Sequence, residues 1–469
     1  MADHPQTATP VSVRSRSSSR LIIIMKKKLL YIVGVFLLAV ATTVVLLFTV
    51  GPFDPKSSKS DKATVLTTTP SSQPTDKIAV VTASPSFQPI GSTASPSSEP
   101  TGDPSFKPTG SSQSTGKPST LLDWYQKGMD IDGEAAEDES GTSVSLSDDG
   151  TVLAIGAVGN SDNGGGSGHV RVYEWNAGTS DWDQRGDDIN GEAAYDHSGW
   201  SVSLSSDGSV LAIGARDNGD NGYYSGHVRV YEWDTGTSDW VQKGTDIDGE
   251  AAGDESGESV SLSSDGLVLA IGATRNDGGG TESGHVRVYE WNTNTAPPSW
   301  QQKGDDIDGE AAGDTSGRSV SLSSDGTILA IGAVRRDESG TEFGYVRVYE
   351  WTNTGWQQRG DNMDGETAYD LSGWAVVLSG DGNVVAIGAP HNNDNGYYSG
   401  HVRVYDWKAD TSPPSWQQRG ADIDGEAAED ESGESVSLSS DGLVLAIGAR
   451  GNDDNGYYSG HVRVYEYTN

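Results

Sequence analysis

Ser140-Gly-Thr-Ser-Val-Ser-Leu-Ser-Asp-Asp-Gly-Thr-Val-Leu-Ala-Ile-Gly-Ala157 is the stretch whose reading decides the fold. Val144 and Leu146 alternate with serines, Asp149-Gly150 supplies a turn, and Val152 to Ala157 is a nearly continuous apolar run. The pattern predicts a β-hairpin closed by a two-residue type I′ turn. The block returns at Ser198, Ser256, Ser316, Ser372 and Ser432, each time followed by a Gly-His/Tyr-Val-Arg-Val-Tyr strand. A lone hairpin cannot bury both faces, so six copies of it require a repeat architecture.

Trp124, Trp182, Trp240, Trp300, Trp356 and Trp416 mark the repeats, at spacings of 58, 58, 60, 56 and 60 residues. Each repeat holds four strand candidates: the Trp strand, the Ser-Val-Ser-Leu strand, the Val-Leu-Ala-Ile strand and the Val-Arg-Val-Tyr strand. Four short antiparallel strands per repeat describe a propeller blade. A β-helix would need a shorter period, and six independent domains of this size would each be marginal. The expected fold is all-β, a β-propeller of six four-stranded blades over residues 121–469.

Three segments precede it. Residues 1–28 are polar and basic, with Arg14, Arg16, Arg20 and Lys26 to Lys28 against a single acid, Asp3. Leu29 to Val50 then runs 22 residues without a charge. As a helix it would be about 33 Å long, enough for a hydrocarbon core of about 30 Å. A cleaved signal peptide is the rival reading, but its apolar region usually covers only about 7–15 residues. The uninterrupted length favours a retained transmembrane signal anchor. Because the basic cluster precedes the span, the N-terminus is expected in the cytoplasm and the rest at the cell surface or in a secretory lumen, a type II topology. Residues 51–120 are rich in Ser, Thr and Pro. They bury too little to repay their ordering entropy and read as an extended stalk, a candidate for O-glycosylation. No Asn-x-Ser/Thr sequon occurs beyond the span.

The absence of cysteine excludes disulfides and thiolate metal sites. A formal charge of −37 argues against binding nucleic acid through phosphates and favours cations, basic partners or simply a solvated acidic surface.

Ser-Gly-x-Ser-Val followed by Leu-Ala-Ile-Gly-Ala resembles the FG-GAP repeat of integrin-α-type propellers, Phe-Gly-x-Ser-Val and then an apolar strand ending Val-Gly-Ala-Pro. Ala386-Ile-Gly-Ala-Pro390 and Glu342-Phe-Gly344 echo parts of it, the latter in a different strand. The resemblance covers roughly residues 124–469 and implies a binding or adhesion propeller. The family usually has seven blades, whereas six repeats are present here. The resemblance also implies that the Ser-Val strand is innermost. The Trp124 strand would then complete the last blade, which ends at Asn469 without a fourth strand, and close the ring. The family's calcium loop is replaced by the tight turns at Asp149, Asp207, Asp265, Asp325, Asp381 and Asp441. These are too short to supply the 6 to 8 oxygens of a calcium ion, so calcium binding does not carry over there.

Strand alternation places the inter-blade loops and the loops after the second strand on one face. The inter-blade loops carry Asp132 and Glu134, Asp248 and Glu250, Asp308 and Glu310, Asp364 and Glu366, and Asp424 and Glu426. These are candidate ligands of a hard cation, Ca2+ foremost. The alternative is that Asp and Gly simply form the turns every blade needs. His169, His227, His285, His401 and His461 occur one per repeat, with Tyr345 in the remaining one, so they cannot converge on each other and read as structural. Arg171 and its five equivalents lie in a strand, where a charge needs a partner, and are expected to pair with loop acids.

Function more often shows where repeats differ. Only repeats 2 and 5 carry Tyr195-Asp-His-Ser-Gly-Trp200 and Tyr369-Asp-Leu-Ser-Gly-Trp374, and the same repeats carry Tyr223-Tyr224 and Tyr397-Tyr398. These eight aromatics, Tyr195, Trp200, Tyr223, Tyr224, Tyr369, Trp374, Tyr397 and Tyr398, are the candidate ligand-binding residues. Rigid aromatics beside carboxylates suit an extracellular glycan or a basic protein segment. Filling gaps between blades is the competing role. A glycan-processing enzyme would need an asymmetric acid/base constellation, and none is legible. A purely structural surface component is the third reading.

Overall fold

The computed structural model describes residues 126–334, 343–453 and 458–468. The basic tail, the 29–50 span, the stalk and Trp124 lie outside the described residues. No helix among the described residues is long and apolar enough to cross a membrane.

In the first repeat, β1 (Ser140–Leu146), β2 (Val152–Ala157), β3 (His169–Asn176) and β4 (Asp181–Gln184) form an antiparallel sheet in that order. A two-residue strand, β5 (Ile189–Asn190), belongs to the inter-blade loop and pairs with the start of β3, Asn190 opposite His169. The same five-stranded pattern recurs in repeats 2 to 5, and the sixth sheet has three strands, Ser432–Leu438, Val444–Ala449 and His461–Glu466. The protein is a six-blade, all-β propeller with the Ser-Val strand innermost.

The hairpin forms as expected, but its turn does not. Gly150 has φ +65°, while Asp149 is not in the left-handed region, so a type I′ turn is ruled out. Gly150 N–H donates to the Ser147 carbonyl, and Ser147 and Val152 close a longer loop. Side chains build this loop. Ser147 Oγ donates to Asp149 Oδ1 at 2.9 Å, Thr151 N–H donates to the same oxygen, and Val152 N–H donates to Ser147 Oγ. The loop also links blades, since Asp148 N–H donates to the Ser206 carbonyl, Ser206 to Ser264, Ser264 to Ser324, Ser324 to Gly380 and Gly380 to Ser440.

Each blade packs one face on the next. Val152, Ala154, Val170 and Val172 of blade 1 meet Leu204, Leu211, Ile213, Tyr231 and Trp240 of blade 2. Four further clusters repeat this at the other junctions between consecutive blades. The faces at the two ends of the series differ. Val462 is 68% exposed and Val144 63%, although their counterparts Val402 and Val320 are buried. Closure between blades 6 and 1, expected from the Trp124 strand, is not made by the described residues.

Outer indoles cap what precedes them: Trp240 Nε1 donates to the Arg185 carbonyl at 2.9 Å, Trp300, Trp356 and Trp416 make the same bond one blade back, and Trp182 donates to the Lys127 carbonyl ahead of the first blade. Nearer the axis, a Cβ on Gly214 would collide with the Gly257 carbonyl of the next blade. Gly214→Ala should therefore destabilise the propeller by about 1–3 kcal/mol. Gly219→Ala, whose Cβ would meet nothing nearer than 3.7 Å, should change stability little. Urea denaturation of the two variants checks the contrast.

Candidate functional site

The repeats diverge strongly in size and charge at the x of Ser-Gly-x-Ser-Val. It is Thr142, Trp200, Glu258, Arg318, Trp374 and Glu434 in blades 1 to 6. Because it begins the innermost strand, it lines the mouth of the channel. Four of these residues join into an arc across blades 2 to 5. The Arg216 guanidinium lies over the Trp200 ring, 3.3 Å from its centroid, and Arg216 Nη1 donates to Glu258 Oε2 at 2.7 Å. Glu258 Oε1 faces Arg318 Nη1 at 3.1 Å, and Arg318 lies over Trp374 at 3.9 Å.

Glu258 is buried with both oxygens engaged by arginines. Burial pulls the Arg318 pKa below the ordinary arginine value, Glu258 opposing the shift. A partly desolvated charge triad of this kind adds little net stability compared with an apolar replacement. Arg275 pairs with Glu255 at 3.1 Å, and burial raises the Glu255 pKa. Beside the arc is a cavity of about 460 Å³ lined by Tyr369, Leu371, Trp374, His391 and Tyr398 together with Arg216, Arg318 and Glu255. His391 stacks on Tyr398 at 4.2 Å, and Tyr398 on Tyr397 at 4.0 Å.

Of the eight aromatics singled out in the sequence, Trp374, Tyr369 and Tyr398 line this cavity and Trp200 belongs to the arc. Tyr397 reaches it only through Tyr398. Tyr223 and Tyr224 pack on each other at 3.9 Å, and Tyr195 is exposed. Tyr195, Tyr224, Tyr369 and Tyr398 all have positive φ. Glu137 and Glu429 share that conformation at the position of Tyr195 and Tyr369, so the backbone shape is common to the blades and the side chain varies. Sequence reasoning missed Arg216, Glu258, Arg275 and Arg318. For Glu258 and Arg318 the available signal was the variation in size and charge at x; Arg216 and Arg275 lie just past the block, at positions that also vary between repeats.

The loop acids are arranged differently from the expected pairs. The strand arginine holds the inter-blade loop mainly by its backbone: Arg171 Nη2 donates to the Asp132 carbonyl at 2.7 Å, and the other five arginines bind their own loops likewise. The expected ion pair is longer, 3.9 Å from Arg171 Nη1 to Glu134 Oε1. Within each loop the Asp and Glu do not converge with each other. Instead Glu134 meets Asp162, His169 and Asp188, and Glu366 meets Asp394, His401 and Asp422. Glu192 meets Asp220 and His227, and Glu250 meets His285 and Asp306. Asp132, Asp248, Asp308, Asp364, Asp424, Glu310 and Glu426 belong to none of these groups among the described residues. The histidines do not meet one another, but His169, His227, His285 and His401 are each the buried member of an acidic group among the described residues.

Burial, with Arg229 and Arg287 adding to it, brings His227 and His285 down to about 4, and burial also lowers His169 and His401. A carboxylate oxygen stands about 4 Å from each ring, for instance Glu192 Oε2 at 3.9 Å from His227, but the imidazoles are neutral and these are not ion pairs.

FG-GAP repeats are matched at residues 190–231, 240–289 and 422–465. FG-GAP repeats in these three places and six blades are consistent with the integrin-α-like propeller that the resemblance implies. Among solved structures it is similar to a candidate 6-phosphogluconolactonase from Bacteroides uniformis, with 12% identity, a TM-score of 0.48, and 70% of this chain and 81% of that one covered. It is similar also to the periplasmic gluconolactonase PpgL of Pseudomonas aeruginosa, with 15% identity, a TM-score of 0.45, and 70% and 81% covered. The Dos1 propeller aligns at 15% identity and a TM-score of 0.38, over 69% and 77%. At this identity the likeness concerns the fold alone. No curated protein sequence matches the chain.

The buried histidines make stability depend on pH. Their folded pKa lies below the unfolded value of 6.5, so between pH 6.5 and about 4 the unfolded chain binds more protons. The stabilisation is complete above pH 6.5 and is lost as pH falls toward 4, at up to about 1.4 kcal/mol per pH unit for each histidine. Urea midpoints at pH 7 and pH 5 should differ accordingly, and His227→Gln with His285→Gln should flatten the difference.

Proposed function

We propose that this protein is a membrane-tethered binding propeller, displayed outside the cell, that holds the end of a glycan at the channel mouth. The observation that carries the reading is the arc Trp200–Arg216–Glu258–Arg318–Trp374. Its residues change in size and charge from blade to blade, and its partly buried ion pairs add little stability that an apolar cluster would not supply. A cavity of about 460 Å³ falls within the size range of small-ligand sites. Tyr369, Trp374 and Tyr398 offer aromatic surface beside fixed donors and acceptors, which suits a hydroxyl-rich ligand. The uncharged run 29–50 and the Ser/Thr/Pro-rich stretch to residue 120 support tethering and display beyond a membrane.

A basic protein segment is the second reading, favoured by the exposed Tyr223 and Tyr397 and by the charge of −37. Glycan hydrolysis would need two carboxylates free to exchange protons across one bond. Glu258 is held by two arginines and Glu255 by Arg275, which favours binding over turnover.

A glycan array probed with the full-length chain, with and without chelator, tests the proposal. Saturable binding that Tyr369→Ala weakens by about tenfold or more, with the melting temperature unchanged, is the expected result. Tyr369 is exposed, so its loss should not disturb packing. Binding confined to basic peptides would replace the glycan reading, and turnover of a bound glycan would make the protein an enzyme.

A further inference from the structure

We infer that the acidic-loop face carries a series of divalent transition-metal sites, one per blade in blades 1, 2, 3 and 5, each centred on the buried histidine that opens the third strand. In blade 1 the donors are Glu134, Asp162, His169 and Asp188, whose ligand atoms all lie within 4.8 Å of one another. Blade 5 repeats the set as Glu366, Asp394, His401 and Asp422, and blades 2 and 3 keep three members each.

The acids alone would be unremarked surface charge. The histidine makes the difference. His169 is fully buried, and neither ring nitrogen has a hydrogen-bond partner among the described residues. The same holds for both nitrogens of His285 and His401 and for Nδ1 of His227. Leaving a buried polar atom unpaired is costly, and doing so in four blades points to a missing partner. Nδ1 faces the acids, 3.8 Å from Glu134 Oε2. That gap is too long for a hydrogen bond, whereas a cation placed between the two atoms would contact both.

The surroundings leave the ligand atoms available. Arg171 lies against Glu134 Oε1, and Oε2 is the oxygen that faces His169. Glu192, Glu250 and Glu366 divide their oxygens between arginine and histidine in the same way. Gln184 donates to Asp188 Oδ1 at 2.7 Å, an outer contact that orients the carboxylate as metal sites commonly require. β5 is what delivers Asp188, because its pairing with β3 sets Asn190 opposite His169.

Blade 4 is an internal control. Tyr345 stands in place of the histidine, and Asn362 in place of the aspartate at 188. Tyr345 Oη donates to Asp314 Oδ2 at 2.7 Å, and Asn362 Nδ2 donates to Glu310 Oε2 at 3.3 Å. Where the nitrogen ligand is lost, the acid beside it is lost too, and the neutral amide of Asn362 donates to the glutamate that would be a ligand. An imidazole nitrogen with two or three carboxylates suits Zn2+ or its first-row neighbours, whereas Ca2+ selects oxygen alone. Each ion would tie the histidine of the third strand to the loop before the blade, together with the loop after the second strand in blade 2, the segment leading into the short fifth strand in blade 3, and both in blades 1 and 5.

The test is metal titration of the chelator-treated full-length chain with Zn2+, Co2+ and Ca2+, read by calorimetry, by Co2+ absorption in the visible and by melting temperature. About four Zn2+ or Co2+ ions per chain and a raised melting temperature are expected. Asp162→Asn and His169→Gln should each remove about one ion and reduce the Co2+ bands in proportion. Glu310→Gln, in blade 4, should change neither. Asp162 is exposed, so its variant folds even if the histidine variant does not. Absence of Co2+ bands, or a stoichiometry that Asp162→Asn leaves intact, overturns the inference. So does saturable Ca2+ binding indifferent to His169→Gln, which would mean an all-oxygen site.

Discussion

The closest constraint in this propeller is backbone against backbone. At each junction the glycine of Leu/Val-Ala-Ile-Gly-Ala faces the carbonyl of the Ser-Gly that opens the next blade: Gly156 on Gly199, Gly214 on Gly257, Gly272 on Gly317, Gly332 on Gly373 and Gly388 on Gly433. A Cβ on the first glycine of any pair would collide with that carbonyl, so no other residue allows this approach. Ser143 Oγ and its equivalents donate to the same carbonyls. The inner strands therefore sit at one distance and one angle, and the apolar faces outside them meet in register. What first reads as a hairpin signal is as much a contact surface between blades.

That contact leaves the residue after Ser-Gly free to vary. It points into the channel mouth, where it touches no invariant partner, and it becomes Trp, Glu or Arg without disturbing the ring. Buried charge and stacked aromatics accumulate there because the frame tolerates them. The acidic loops follow the opposite logic. Their chemistry is repeated almost unchanged from blade to blade, which suits a feature that consolidates each blade and not one that selects a ligand.

Much of the fold was legible because it is local and repeated. Strand order follows from alternation and spacing, while the innermost Ser-Val strand and the short sixth sheet followed from the resemblance to FG-GAP propellers. The turn was misread because Asp149-Gly150 suggests a two-residue loop, whereas Ser147 and Asp149 side chains bind the backbone into a longer one. The histidines were read as structural because they cannot meet each other. Their actual neighbours come from loops before and after them in sequence, at separations that differ from repeat to repeat.

By itself, the sequence determined the number of blades, the order of strands within them, the acidic character of one face and the singling out of Trp200 and Trp374 as aromatics found in two repeats alone. Period-2 alternation and regular spacing act within a single repeat and need no partner to be read. Tertiary structure alone decided that Arg216, Glu258 and Arg318 form one charged arc with those tryptophans, and that His169 meets Glu134, Asp162 and Asp188. Both arrangements depend on the angle between neighbouring elements, which is set by glycine contacts and strand pairing between segments far apart in the chain.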